Sequence, residues 1–136
     1  MMLNCTRFRL LLTVMILCIS SGAMAEWTFY GSNKDSDLYL DYGSIRKDGE
    51  IAKMWFMEDY RGVKKISNGK SFLSATTLGI YDCKEERVGT DSFAIYSEKK
   101  GGGEAVFTSR MKQVNWEAIA PDSLGEILWK KACGRK

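Results

Sequence analysis

The first 25 residues predict an export leader, and this prediction limits what the rest of the chain can become. Arg7 and Arg9 precede an apolar run over residues 10–19, and small residues at positions 23 and 25 form a cleavage site before Glu26. The apolar run is about ten residues, whereas a membrane-spanning helix needs roughly 20. Cleavage is therefore favoured over a membrane anchor, and it would leave residues 26–136 as the exported chain.

The cysteines fit this prediction. Cys5 and Cys18 lie in the leader, and Cys83 and Cys133 remain. Lipidation at Cys18 is an alternative, but Leu17 before it is larger than lipoprotein processing requires. Two cysteines in an oxidising compartment most often pair, so we predict a structural disulfide. A redox or metal-binding pair is the alternative, which the wide spacing and the lack of histidine disfavour.

The composition of residues 26–136 favours one globular domain. The 111 residues are enough for a single core. The whole chain carries 20 basic and 17 acidic residues, and removing Arg7 and Arg9 lowers the net charge from +3 to +1. Such a chain lacks the overall field that nucleic-acid binding uses, so we expect no nucleic-acid partner. No later stretch is apolar enough to span a membrane, so we expect no transmembrane segment after cleavage.

The order of hydrophobic runs and turn signals predicts an α+β domain. Short apolar runs are separated by polar turns from Glu26 to about Ser109, with a break at residues 43–44 and hairpin signals at residues 48–49 and 68–69. We predict strands at residues 51–60 and 72–83 and a further pair of strands at residues 93–96 and 105–108. We predict a basic loop at residues 61–70. Ser123 and Glu126 fit a capping box that begins a helix, which Gly134 ends. We therefore expect an antiparallel sheet of about five or six strands with one C-terminal helix.

Four separated motifs resemble the surface-adhesin protein E family. Residues 38–45 are similar to its "Y-x-D-x-x-S-I" box, and residues 55–60 are similar to the strand that follows. Residues 74–83 end on the family's Tyr-Asp-Cys, and residues 120–123 together with Cys133 resemble its C-terminal "P-x-[ST] … C" pattern. The motifs keep the family's order across nearly all of residues 26–136, which we assign as one domain.

The resemblance implies both a fold and a function. It implies a C-terminal helix tied to the sheet by a Cys83–Cys133 bond, which agrees with the pattern of the residues. It also implies a place in the Gram-negative envelope and, for the adhesin that names the family, binding to host extracellular-matrix proteins and haem. The chain departs from that adhesin in having no lipoprotein cysteine and no histidine, the latter being a common axial ligand of haem.

No residues in the chain form a convincing catalytic or metal-binding set. Without histidine, Ser-His-Asp and Cys-His catalysis and the common zinc sets are absent, so we expect a non-enzymatic protein without metal or cofactor. The pairs at residues 58–59 and 85–86 are interpreted as solvated carboxylates, and Asp41 as the cap of a turn. The glycines at 101–103 are interpreted as an exposed hairpin tip. Five tyrosines are interpreted as core or cross-strand partners rather than as a stacking platform for a ligand: Tyr30, Tyr39, Tyr42, Tyr81 and Tyr96.

The candidate binding site is the basic segment that contains Arg61, Lys64, Lys65 and Lys70. Such clusters are often only soluble surface, but binding residues concentrate in loops. Our leading hypothesis is an exported, adhesin-like binding domain that contacts a host extracellular-matrix protein or an acidic polysaccharide through these residues. The alternative is a periplasmic structural or accessory protein with no host ligand, and an enzyme that uses carboxylates is a third hypothesis.

Overall fold

The computed structural model describes residues 24–136, so the predicted leader lies outside it except for its last two residues. The elements are seven strands, one α-helix and one turn of 3-10 helix at Lys99–Gly101: β1 Thr28–Ser32, β2 Ser36–Asp48, β3 Ile51–Lys65, β4 Ser71–Asp82, β5 Arg87–Tyr96, β6 Ala105–Arg110, β7 Glu117–Ala118 and α1 Leu124–Ala132. Six strands follow one another in an antiparallel meander, and the short β7 pairs with β5. The predicted fold class is thus confirmed. No helix in the described part of the chain is long and apolar enough to cross a membrane.

One face of the sheet packs against α1 and forms the main core. Strand residues on this face, which we call the helix face, meet Leu128, Trp129 and Ala132 of the helix. The indole of Trp129 donates a hydrogen bond of 2.8 Å to the carbonyl of Asp82, which anchors the helix to the end of β4. The strand residues that are buried there are Leu38, Leu40, Ala52, Met54 and Tyr81.

A disulfide between Cys83 and Cys133 joins the end of β4 to the end of α1, as predicted. Ser123 caps the helix by accepting a hydrogen bond from the Glu126 amide at 3.2 Å. The other half of the predicted capping box is shifted by one residue, because the Glu126 carboxylate accepts from the amide of Asp122 instead. The helix ends before Gly134, whose φ of 68° places it in the left-handed region that glycine tolerates.

The opposite face is covered by the connection between β5 and β6. Asp59 and Ser74 are partners across β3 and β4, and both are buried. Asp59 accepts a hydrogen bond of 2.8 Å from the amide of Lys100, and the Ser74 hydroxyl accepts one of 2.8 Å from the amide of Gly101. The same hydroxyl donates to the carbonyl of Glu98 at 2.6 Å. We call this arrangement the polar clamp, since it holds residues 98–101 against the sheet.

The polar clamp corrects two predictions. Residues 101–103 do not belong to a free hairpin tip, because the preceding backbone donates into buried side chains of β3 and β4. Asp59 is not a solvated carboxylate, because it is only 5% exposed and accepts one of those bonds. Glu85 and Glu86, in contrast, are exposed as expected.

The predicted break at residues 43–44 is a bulge within β2 and not the end of a strand. Residues 42–45 lie opposite residue 54 alone. The Ser44 hydroxyl stabilises this bulge by donating to the carbonyl of Asp41 at 2.6 Å and accepting from the amide of Trp55 at 2.9 Å. The bulge is therefore closed by the serine, and the predicted cap by the Asp41 carboxylate is not observed.

Candidate functional site

The β3–β4 hairpin extends beyond the rest of the sheet. The last pair between β2 and β3 joins Ser36 to Tyr60, and the last pair between β4 and β5 joins Ser74 to Tyr96. Residues 61–72, which we call the overhang, form ladder pairs only with one another, and the amide of Arg61 at their start donates a hydrogen bond of 2.9 Å to the carbonyl of Asp35. Its turn is closed by a hydrogen bond of 2.9 Å from the Gly69 amide to the carbonyl of Ile66, which confirms the turn predicted at residues 68–69.

The structure changes the predicted basic loop into a strand that ends in a short turn. Arg61, Lys64 and Lys65 lie in β3, and Lys70 follows the turn. Residues 60–63 lie opposite residue 73 alone, so a wide bulge separates the overhang from the sheet. Such bulges generally bend their strand and increase its twist.

Arg61 differs from the three lysines, since it anchors the base of the overhang. Its guanidinium lies 2.6 Å from the carboxylate of Asp37 and 3.0 Å from the carbonyl of Asn33, both in the β1–β2 region. A hydrogen bond from Ser32 and the charge of Arg61 together lower the pKa of Asp37. The guanidinium of Arg61 therefore already has partners within the domain and is poorly placed to bind a ligand.

The base of the overhang is also stiffened by an aromatic pair. The rings of Tyr60 and Phe72 meet edge to face with centroids 5.7 Å apart, and the Lys64 ammonium lies 5.5 Å from the Tyr60 ring. The Tyr60 hydroxyl donates to the carboxylate of Glu58 at 3.2 Å. Burial, followed by the charge of Glu58, raises the pKa of Tyr60 to about 12, so this hydroxyl stays protonated at neutral pH.

The end of the overhang presents three exposed cations. Lys64, Lys65 and Lys70 are all exposed, and within residues 24–136 none of their ammonium groups forms a salt bridge. Val63 beside them is 61% exposed, so an apolar side chain adjoins the charges. A projecting hairpin with exposed lysines that form no salt bridge within the described residues, and with an apolar side chain beside them, can bind an anionic surface by charge and shape complementarity without catalysing a reaction.

A second concave surface lies on the helix face. We call it the groove, a cleft of about 420 Å³ between the first half of α1, strands β3–β5 and the segment before β7. Its walls are mainly apolar and aromatic, and they include Phe56, Tyr81, Val88, Phe93, Leu124 and Leu128. Its rim includes Met111, Asn115 and Glu117.

The sequence of residues 27–134 matches the model of the family described as surface-adhesin protein E. The chain belongs to this family. The match covers nearly all of the described residues and contains all four motifs that carried the resemblance. No curated protein matches the chain.

Solved structures of this family share the fold. The chain superposes on Haemophilus influenzae protein E in its crystal form II with a TM-score of 0.60, covering 82% of this chain and 89% of that one at 15% identity. Protein E from non-typeable Haemophilus influenzae gives a TM-score of 0.53, covering 79% and 74% of the two chains at 14% identity. At such low identity the similarity establishes the architecture, while binding residues must be argued from this chain alone.

The residues present do not fit haem binding, which the resemblance implies only for the adhesin that names the family. The full sequence contains no histidine, which removes a common axial ligand. Glu117 is the only charged side chain among the described residues that line the groove, and it would repel the propionates of haem. Elsewhere among residues 24–136, no group of three or more carboxylates or cysteines is placed to hold a metal ion.

The structure brings the four predicted binding residues to one hairpin but divides their roles. Three lysines are available at its end, and Arg61 is held at its base. Sequence reasoning missed the groove, since its walls come from three strands, a helix and a segment without regular structure. One signal in the sequence is the pair Gly79 and Tyr81. A glycine two residues before a tyrosine on the same strand leaves room for the tyrosine ring to lie along that strand, as it does beside the groove.

Proposed function

We propose that this chain is an exported, non-enzymatic binding domain of the bacterial envelope that acts as an adhesin. Its partner would be a host extracellular-matrix protein or an acidic polysaccharide, and its contact surface would be the end of the overhang. The observation that carries the proposal is the projection of Lys64, Lys65 and Lys70 beyond the sheet without salt-bridge partners among the described residues. Membership of the surface-adhesin protein E family supports the same function.

Electrostatics favours a local contact surface over an attraction by the whole domain. The chain from Glu26 onward has a net charge of only +1, so an anionic partner gains little from the molecule as a whole. Charges are screened beyond about 8 Å at physiological ionic strength, so a partner responds mainly to the cations that it touches. Three lysines near one turn form such a local field, and Val63 adds an apolar contact that does not depend on salt.

The test is surface plasmon resonance against heparin and purified matrix proteins at two salt concentrations. We expect the parent to bind at least one of them, with an affinity that falls as salt rises. The double variant Lys64→Glu, Lys65→Glu should bind several-fold more weakly while its stability changes by no more than about 0.5 kcal/mol, because both side chains are exposed.

A matched control reverses two exposed lysines at the other end of the sheet. Lys47 lies at the end of β2 and Lys84 directly follows β4, so Lys47→Glu, Lys84→Glu makes the same change in net charge far from the overhang. This variant should bind like the parent. Equal weakening by both variants would show that net charge alone is sensed, and unchanged binding by the overhang variant would refute the site.

The location of the protein is tested separately. Protease treatment of intact cells should degrade an adhesin that is displayed on the surface. Complete protection, together with no binding by the parent to any matrix protein or to heparin, would favour the periplasmic accessory function instead.

A further inference from the structure

The groove has a polar atom among its apolar walls that the described part of the chain leaves without a partner. Tyr81 is 1% exposed, and its hydroxyl forms no hydrogen bond. A buried hydroxyl without a partner is costly, and most buried polar groups are therefore paired. Tyr60 differs from it, since its hydroxyl donates to Glu58.

The position of Tyr81 places this hydroxyl beside the groove. The ring lies along its own strand, so that the hydroxyl sits 2.0 Å from the place where a Cβ on Gly79 would be. Gly79 pairs with Met54 on one side and with Thr90 on the other. Tyr81 and Thr90 both line the groove. The hydroxyl therefore lies over Gly79, beside the Thr90 position that lines the groove.

We propose that the groove binds a small, uncharged aromatic molecule with a single hydrogen-bonding group, and that the Tyr81 hydroxyl is the partner of that group. The volume of about 420 Å³ is within the range of small-molecule sites. The rings of Phe56 and Phe93 in its walls favour an aromatic ligand. Glu117 is the only charged residue among the described ones that line it, so an anion is disfavoured. This inference is independent of the adhesin function, which uses the overhang.

Two fluorescent probes with the same aromatic skeleton test whether the groove prefers an uncharged ligand. N-phenylnaphthylamine is neutral and aromatic, with one N–H that can donate to the Tyr81 oxygen, and anilinonaphthalene sulfonate adds an anion to that skeleton. We expect a saturable rise in fluorescence with the neutral probe and weaker binding of the sulfonate. No saturable binding of the neutral probe, or equal binding of the sulfonate, would overturn the proposal.

Variants of two residues locate the bound probe. A Cβ on Gly125 would lie 3.5 Å from Val88, in ordinary contact, so Gly125→Leu should fold and fill the groove. It should remove saturable binding. The matched control is Gly62→Leu in the overhang, where a Cβ meets nothing within 4 Å and binding should not change. Equal binding by Gly125→Leu and the parent would refute the site.

Tyr81→Phe tests the hydroxyl itself and keeps the proposal falsifiable if Gly125→Leu does not fold. It removes an unpaired buried oxygen, so the thermal midpoint of the free protein should stay the same or rise. Binding of the neutral probe should nevertheless weaken by about three- to tenfold, the value of one hydrogen bond. An affinity equal to that of the parent in the folded variant would show that the hydroxyl has no part in binding.

Discussion

The disulfide between the sheet and the helix should supply a large share of the stability of this domain. Its cysteines are 50 residues apart in sequence, with Cα atoms 5.7 Å apart. On the loop-entropy model, closing a loop of that length restricts the unfolded chain by about 4 kcal/mol at 25 °C. Small domains are stabilised by only about 5–15 kcal/mol in total. Removing both sulfurs, in Cys83→Ala, Cys133→Ala, should therefore lower the free energy of unfolding by about 2–5 kcal/mol.

The helix should remain attached in this variant, because other contacts hold it. Leu128 and Trp129 are buried against the sheet, and the indole of Trp129 bonds to the carbonyl of Asp82. The expected loss is thus one of global stability. Urea unfolding followed by circular dichroism measures it, and hydrogen exchange of the α1 amides under native conditions should still show protection.

The reduced parent separates the cross-link from the side chains. Both cysteines are buried, so the double alanine variant also loses packing around the sulfurs. A parent kept in reductant retains the sulfurs and loses only the bond, and it should fall close to the variant. Equal free energies of unfolding for the oxidised and reduced parent would refute the argument that the bond stabilises by restricting the unfolded chain.

Three further predictions concern the polar clamp, the acid range and the leader. Ser74→Ala removes a buried hydroxyl that has two hydrogen-bond partners and should cost about 1–3 kcal/mol in urea unfolding, and no measurable loss would contradict the clamp. The hydrogen bond from Arg87 lowers the pKa of Asp82 below the usual 3.8, so its contribution is present above that pH and disappears as the pH falls through the folded value. Asp82→Asn should therefore be less stable than the parent at pH 7, with a difference that shrinks below pH 3.8, and a constant difference would be the contrary result. Intact mass of the exported protein should begin at Glu26 and show no alkylation without reductant, whereas an acylated Cys18 would disprove the predicted cleavage.

Local signals in the sequence predicted the parts of this fold that depend on near neighbours. The turn at residues 48–49, the cap at Ser123 and the stop at Gly134 each arise from backbone geometry within a few residues. The disulfide joins residues that are distant in sequence, but it could still be predicted. Only two cysteines remain after the predicted cleavage, so only one intramolecular pairing is possible.

The sequence could not indicate features that depend on distant partners. Residues 61–65 lack an alternating apolar pattern because the overhang packs against no other layer, so a strand with both faces in solvent looks like a loop. Asp59 looked solvated because its partner is a backbone amide 41 residues later in the chain. The sequence also does not separate the tyrosines from one another, because Tyr81 is buried, whereas Tyr30 and Tyr42 are each 41% exposed.

The way this sheet is covered explains how a small domain can combine a stable core with a projecting hairpin that tolerates substitution. One face is held by α1 through a covalent bond and a buried tryptophan, and the other is held by the polar clamp at Asp59 and Ser74. The bulge at residues 60–63 lies directly beyond the clamp, so the regular register of β3 and β4 ends where the overhang begins. Exposed substitutions beyond that point break none of the contacts that hold either face. Exposed side chains of the overhang can therefore change at little cost in stability, which is the property that the proposed contact surface requires.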